Sequence, residues 1–132
     1  MKHTISYHLE ENRFILYIDI TNTCDKERSF YFYNDSGALA RNGIMLFNTK
    51  EEEIHAYERI FISPVYNGEK TNVNILAPRN TQRFELPAKI FEEDGELILA
   101  FKGISFRISG VEKFYITFSF SGITSNRLEV TV

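Results

Sequence analysis

A nearly regular alternation of apolar and polar side chains in RFILYIDIT, residues 13–21, constrains the fold more than any other feature. Phe14, Leu16, Ile18 and Ile20 fall on one side of an extended chain, and most of the residues between them are polar or amphipathic. Successive side chains of a β-strand point to opposite faces, so this pattern is typical of a strand with one face on a core. The same period of two recurs along most of the chain and predicts an all-β protein.

The aromatic content also favours strands over helices. The 132 residues include 12 Phe and 7 Tyr, but no Trp and only 2 Met. Aromatic and β-branched side chains suit the pleated, half-buried surface of a sheet. A chain of this length fits one domain and buries about two thirds of the surface that it would expose when unfolded. We therefore predict a single domain over residues 1–132.

Glycine and asparagine mark turns between the predicted strands because both residues tolerate positive φ. The turn sequences are NDSG, YNGE, EEDGE and SGITSN, at residues 34–37, 66–69, 92–96 and 121–126. The further predicted strands are residues 3–9, 28–34, 43–47, 54–62, 72–76, 83–87, 97–102, 104–108, 113–120 and 128–132. Pro64, Pro78 and Pro87 fall at the ends of these runs or at edges. Short strands at intervals of about ten residues predict an immunoglobulin-like antiparallel β-sandwich.

The stretch TKEEEIHAYERIF, residues 49–61, is open to a second interpretation. Its glutamate-rich beginning fits the first turn of a helix, because carboxylates stabilise the positive end of the helix dipole. The alternation within residues 54–62 fits a strand. We favour the strand, and no other part of the sequence requires a helix.

Charge and hydropathy exclude several classes of protein. The formal net charge is −3, which argues against binding to a nucleic-acid backbone. A single cysteine cannot form an intramolecular disulfide, and the opening MKHTISYHLEENRF lacks the apolar core of a signal peptide. No apolar run approaches the roughly 20 residues of a membrane span. We expect a cytoplasmic chain that binds neither nucleic acid nor membrane.

The histidines do not form a metal motif. His3 and His8 lie five positions apart on one predicted strand, so they face opposite sides and cannot chelate one metal ion from that strand. We expect these two to be solvated and His55 to lie at a strand end. The sequence contains no cysteine pair and no glycine-rich phosphate loop. We predict no metal and no cofactor.

Two acidic clusters and the single cysteine are the remaining candidates for chemistry. Residues 51–53 and 92–96 carry carboxylates of the kind that bind calcium or act as a general acid and base. We favour a simpler role, since acidic hairpin tips keep β-proteins soluble and discourage edge pairing. Cys24 lies in NTCDKE, where Asn22, Thr23 and Asp25 are typical turn residues, and no motif gives its thiol a catalytic partner. We predict no enzymatic activity.

Three tyrosines form the candidate binding surface. If residues 28–34, 113–120 and 128–132 share a sheet, Tyr31, Tyr33 and Tyr115 face outward together, ringed by Thr117, Arg127 and Glu129. The inward residues would be Phe30, Phe32, Phe114, Ile116, Phe118, Leu128 and Val130. Tyrosine is enriched at interfaces because it combines a large rigid area with a hydroxyl. The alternative is ordinary cross-strand pairing that only stabilises the sheet.

Four stretches, in order, support a family resemblance. They are FILYIDITNTCDKERSFYFYND, GIMLFNTKEEEIHAYERIFI, LAPRNTQRFEL and KFYITFSFSGITSNRLEVTV. Together they resemble the non-catalytic, propeptide-like β-sandwich domain that precedes the protease body in deuterolysin-like and peptidyl-Lys zinc endopeptidases, the aspzincins. The sequence departs from that pattern at Glu58 and Arg79, where the family favours glycine, and it contains no protease body.

The resemblance implies a separate chain that binds a zinc endopeptidase and occludes its cleft, as an inhibitor or immunity protein does. A hairpin tip or an edge strand would enter the cleft by strand addition. The candidates are the acidic loop of Glu51, Glu52 and Glu53, the 66–69 loop and the edge near residues 79–83. The competing interpretations are a structural or adaptor module of a larger assembly, and an enzyme of unknown chemistry. The oligomeric state stays open.

Overall fold

The computed structural model describes residues 1–33, 35–59, 71–109 and 113–132, and these ranges hold one helix and 13 strands. The strands are β1 (Lys2–Glu10), β2 (Arg13–Thr21), β3 (Arg28–Tyr33), β4 (Ile44–Phe47), β5 (Glu53–Ile54), β6 (Ala56–Arg59), β7 (Thr71–Leu76), β8 (Thr81–Glu93), β9 (Glu96–Phe101), β10 (Ile104–Ile108), β11 (Lys113–Phe120), β12 (Ile123–Thr124) and β13 (Leu128–Thr131). The helix, α1 (Ser36–Gly43), follows β3. The chain is therefore a mostly β protein, as the alternation predicts.

The described strands form two larger sheets and a two-stranded ribbon, and all their pairings are antiparallel. The large sheet has the order β1-β2-β8-β9-β10-β6. The second sheet has the order β12-β11-β4-β5, and β13 also pairs with β11. The ribbon consists of β3 and β7.

Strand β2 lies inside the large sheet and behaves as its alternation predicts. The side chains of Phe14, Leu16, Ile18 and Ile20 are almost completely buried. Its neighbour β8 runs for 13 residues, well beyond the predicted 83–87. The extra length arises because β8 pairs with β2 along its first part and with β9 along its last part.

Pro87 lies within β8, so the prediction that all three prolines fall at run ends or edges is wrong at this position. The Ile90 amide donates to the Asn12 carbonyl on the β2 side, so the amide position of residue 87 points toward β9. The pairing with β9 begins only at Ala88. The missing amide hydrogen is therefore not needed there. Pro78 lies in the turn between β7 and β8, and Pro64 lies outside the described residues.

Two of the predicted turns are tight hairpins. Asp94 and Gly95 have φ of 53° and 78°, and Ser121 and Gly122 have φ of 51° and 76°. Two consecutive residues at positive φ define a type I′ turn, whose twist matches that of paired antiparallel strands. The turn predicted at 66–69 lies outside the described residues.

Helix α1 replaces the turn predicted at NDSG. Asp35 caps it, since its carboxylate accepts a hydrogen bond from the Gly37 amide at 2.8 Å. Ala38, Leu39 and Ala40 of the helix are buried. The small residues of SGALARNG gave no clear helical stripe, and the helix is held by packing rather than by an apolar pattern.

The helical alternative for residues 49–61 is wrong within the described part of that stretch. Residues 53–54 and 56–59 form the short strands β5 and β6, which pair with β4 and β10 respectively. Residues 60 and 61 lie outside the described ranges. Pairing with two different neighbours favours extended backbone over a local helix.

A cluster of phenylalanines joins the ribbon to both sheets. The ring centroid of Phe32 on β3 lies 4.4 Å from that of Phe84 on β8 and 4.8 Å from that of Phe120 on β11. The predicted core residues are confirmed: Phe32, Phe114, Ile116, Phe118 and Val130 are buried, and Phe30 and Leu128 are partly buried against them. Both sheets thus contribute to one hydrophobic core.

Candidate functional site

The outer face of the second sheet carries a row of large and charged side chains. Tyr115 on β11 pairs with Glu129 on β13 and with Phe47 on β4, and Phe47 pairs with Glu53 on β5. Residues directly opposite each other on neighbouring strands share a face of the sheet. Four strands therefore place Glu129, Tyr115, Phe47 and Glu53 side by side on the surface.

Arg127 lies over the middle of this row. Its guanidinium carbon is 4.2 Å from the ring centroid of Tyr115 and 5.5 Å from that of Phe47. Its Nη1 donates to Oε1 of Glu51 at 3.1 Å. A guanidinium over an aromatic face is attracted by the ring quadrupole. We call Arg127, Tyr115, Phe47, Glu51 and Glu129 the Arg127 face.

A second ion pair lies beside the Arg127 face. Lys113 Nζ is 3.0 Å from Oε1 of Glu129. The hydrogen bond to this carboxylate, and then its charge, raise the pKa of Lys113 above its ordinary value. Both side chains are partly exposed, so the pair fixes their positions more than it adds stability.

The loop of residues 48–52, between β4 and β5, is held in one conformation by Asn48. The side-chain oxygen of Asn48 accepts from the amides of Lys50 and Glu52 at 2.9 and 3.0 Å. The backbone amide of Asn48 donates to the backbone carbonyl of Glu52 at 2.9 Å. Glu51 has a φ of 64°, a left-handed conformation that this bonding supports. The loop is therefore an ordered tip that presents carboxylates to solvent.

The three predicted glutamates have three separate partners. Glu51 accepts from Arg127, and Glu52 Oε1 lies 3.3 Å from Nδ2 of Asn48. Glu53 Oε2 lies 3.2 Å from Nδ1 of the exposed His55. Among the residues that the structure describes, no group of three His, Cys, Asp or Glu side chains converges as a metal site would require.

The expectation that the predicted tyrosines share one sheet is wrong, because they are divided between the ribbon and the second sheet. Strand β3 pairs with β7 in the ribbon, whereas β11 and β13 belong to the second sheet. Tyr31 therefore does not share a sheet with Tyr115. The strand of Tyr33 is described but its side chain is not. The alternation predicted the correct face for Tyr31 and Tyr115, but a period of two does not identify the partner strand.

Tyr31 instead belongs to an exposed apolar patch on the ribbon. Its side chain is 65% exposed, beside Val73 at 57% and Ile75 at 62% on β7. Tyr31 pairs directly with Val73. These three residues form the ribbon patch. Adjacent exposed apolar side chains of this kind mark an interaction surface more often than scattered single ones do.

His3 is buried rather than solvated, contrary to the sequence expectation. It is only 6% exposed, and within the described chain its Nδ1 has no hydrogen-bond partner. Burial is the main cause that lowers the pKa of His3, and a hydrogen bond to the Ile123 backbone partly opposes it. His3 shares the inward side of β1 with Ile5, and the alternation of that strand indicated this burial.

The segment NTCDKE around Cys24, residues 22–27, is a turn, as predicted. The buried Asn22 donates through Nδ2 to the carbonyls of Lys26 and Leu76 at 2.9 and 3.1 Å, and its Oδ1 accepts from the Cys24 amide. Asp25 binds Arg79 at 2.6 Å instead of local backbone. Cys24 has no acidic or basic catalytic partner among these contacts.

Comparison with protein-family models, with curated proteins and with solved structures gives no match. The interpretation of the site therefore depends on its geometry, and the resemblance to aspzincin propeptide domains stays a prediction. Within the described ranges, no helix has the length and apolar character needed to cross a membrane.

Proposed function

We propose that this chain is a non-catalytic binding protein that contacts another protein through the Arg127 face. The observation that carries the proposal is the stacking of Arg127 on Tyr115 and Phe47, next to the ordered 48–52 loop. Tyrosine, phenylalanine and arginine are all enriched in protein interfaces, and tyrosine and arginine are frequent among the few residues that dominate binding energy there.

Preorganisation supports the same proposal. Glu51 holds Arg127, Glu129 holds Lys113, and Asn48 holds the loop, so few side chains lose freedom when a partner binds. Ordering interface side chains otherwise opposes binding by roughly 0.5–1.5 kcal/mol for each one. A surface that is already ordered in the free chain keeps more of its contact energy.

For the partner, we propose a zinc endopeptidase, as the resemblance to aspzincin propeptide domains suggests. The chain would act as an inhibitor or immunity protein, with the 48–52 loop at the mouth of the protease cleft and the Arg127 face on its wall. A loop tied by Asn48 at both ends resists the extended conformation that a protease needs for cleavage. The cytoplasmic location, the single domain and the lack of catalysis stay predictions.

An inhibition assay tests this function. The purified chain is titrated into zinc endopeptidases of the cell that makes it, and peptide hydrolysis is followed. We expect stoichiometric inhibition, and we expect Tyr115→Ser to weaken it roughly tenfold or more. The matched control is Tyr17→Ser, since Tyr17 is stacked by Arg83 on the other sheet at 4.6 Å. If Tyr115→Ser inhibits as strongly as Tyr17→Ser, the Arg127 face does not contact the protease.

The second candidate function is a structural or adaptor module, and the ribbon patch favours it. Tyr31, Val73 and Ile75 are apolar and exposed on a ribbon of only two described strands. Such a module would join an assembly through this patch. A Val73→Lys/Ile75→Lys variant that loses its partner in pull-downs, while Arg127→Ala keeps it, would support the adaptor and contradict the inhibitor.

We also propose that the two sheets are arranged as an immunoglobulin-like sandwich. Support comes from the shared core, to which Leu16 and Leu86 of the large sheet and Phe114 and Ile116 of the second sheet contribute. An experimental structure tests this arrangement, and two sheets crossing near a right angle would contradict it.

A further inference from the structure

An open cleft of about 550 Å³ lies on the large sheet, where β9 ends. Its described lining comes from β2, β8, β9 and the turn after β9. The cleft and the Arg127 face are on different sheets, so an inference about one does not depend on the function proposed for the other.

Three cations surround the cleft. Arg13 at the start of β2 pairs directly with Lys89 on β8, and Lys102 follows β9. Like charges directly opposite each other on neighbouring strands destabilise a sheet. In the described part of the chain, no hydrogen bond or ion pair engages the head group of Arg13 or Lys89. Lys102 differs, since its Nζ lies 3.2 Å from Oδ1 of Asp35.

The floor of the cleft is apolar. The apolar residues that line it are Pro87, Ala88, Ala100 and Phe101. Lys89 pairs with Ala100 on its other side, so a methyl group, rather than a larger side chain, lies next to Lys89. Ala100 shares the outer face of the sheet with Lys89, and its small side chain leaves room for the cleft.

We propose that this cleft binds an organic carboxylate with an apolar body. The guanidinium of Arg13 can grip a carboxylate with two parallel hydrogen bonds, and the ammonium of Lys89 adds a third. The bound anion would also relieve the repulsion between the two cations. The apolar body would cover Ala100 and Pro87. A free amphipathic acid and the C-terminal carboxylate of an apolar peptide share this chemistry.

Titration of the isotope-labelled chain, followed by NMR, tests the proposal. The probes are 4-phenylbutyrate and acetyl-Ala-Leu-Phe, each as the free acid and as the primary amide. We expect saturable shifts of the backbone amide signals of Arg13, Lys89 and Ala100 with at least one acid. The primary amide of that acid should bind at least roughly tenfold more weakly. Tighter binding of the peptide acid identifies a protein C-terminus as the source, and the reverse identifies a small acid. No saturable shift with either acid would overturn the proposal.

Charge variants provide the second arm. Arg13→Gln and Lys89→Gln should each weaken binding of the acid roughly tenfold, because a charge-assisted hydrogen bond is lost. Lys50→Gln is the matched control, since Lys50 is an exposed cation of the 48–52 loop, and it should leave affinity unchanged. Thermal unfolding verifies that each variant is folded. Wild-type affinity in both folded cleft variants would contradict the site.

Discussion

At the scale of single residues, His3 makes stability depend on pH. Burial lowers the pKa of His3 below its ordinary 6.5, so the unfolded chain binds a proton more readily than the folded chain does. The contribution of His3 to the free energy of unfolding is fully present above the pKa of the unfolded state. It is lost as pH falls through 6.5, until His3 is protonated in both states below the pKa of the folded state.

We therefore expect the unfolding free energy of the wild type to fall between pH 8 and pH 5 by more than that of His3→Phe. Urea denaturation at the two pH values measures both. His8→Gln serves as the control because His8 is exposed, and it should keep the wild-type dependence. An identical fall in His3→Phe would show that other groups cause it.

Asn22 connects the turn at residues 22–27 to the end of β7. It is fully buried, and its side-chain amide reaches two segments far apart in sequence. Asn22→Ala leaves the Lys26 and Leu76 carbonyls without this donor, and we expect a loss of about 2 kcal/mol in urea denaturation. Cys24→Ala removes the neighbouring thiol without touching these bonds and should change stability by less than about 1 kcal/mol. A larger loss in Cys24→Ala would mean that the thiol has a structural role.

At the scale of elements, the close approach of α1 and β11 depends on Gly43. A Cβ at this position would lie 2.3 Å from the ring of Phe118, which is fully buried. Overpacking a core typically destabilises by roughly 1–3 kcal/mol, so we expect Gly43→Ala to lower the unfolding free energy by that amount.

The contact with Phe118 can be isolated with a double-mutant cycle. In a Phe118→Leu background the ring is gone, and Gly43→Ala should then be markedly less destabilising. An unchanged loss in that background would place the cause in the helix backbone instead of in the contact.

Strands and turns that are determined by the local sequence were predictable. The alternation predicted β2, β11 and their buried faces. The sequences EEDGE and SGITSN predicted turns, and the φ values of Asp94–Gly95 and Ser121–Gly122 show that both are type I′. Helix α1 was not predictable, because its small residues are buried through packing. The partner of β3 was missed for a similar reason: pairing with β7 is a long-range choice that the period of two leaves open.

The candidate site also contains residues that the sequence predicted and connections that it did not. Tyr115 and Glu51 were candidates from exposure and composition, but their connection through Arg127 required the fold, since β13 brings residue 127 beside a loop 76 positions earlier. The cleft at Arg13 and Lys89 carries no sequence signal, because the two cations come together only through the register of β2 and β8.

At the scale of the whole molecule, the shared core predicts cooperative unfolding. Residues of both sheets, of α1 and of the ribbon belong to one buried cluster. Small single domains with one core usually unfold in a single transition. Tyrosine fluorescence and far-ultraviolet circular dichroism should therefore give the same midpoint in urea. Two separated midpoints would show that the chain contains more than one folding unit.

The central claim is that the Arg127 face binds a protein partner, and one comparison of dissociation constants tests it most directly. Arg127 and Arg83 each stack on a tyrosine and pair with a carboxylate, but on different sheets. With a zinc endopeptidase that the chain inhibits, calorimetry should give a Kd roughly tenfold or more higher for Arg127→Ala, and a nearly unchanged Kd for Arg83→Ala. The same Kd for Arg127→Ala and the wild type would contradict the account.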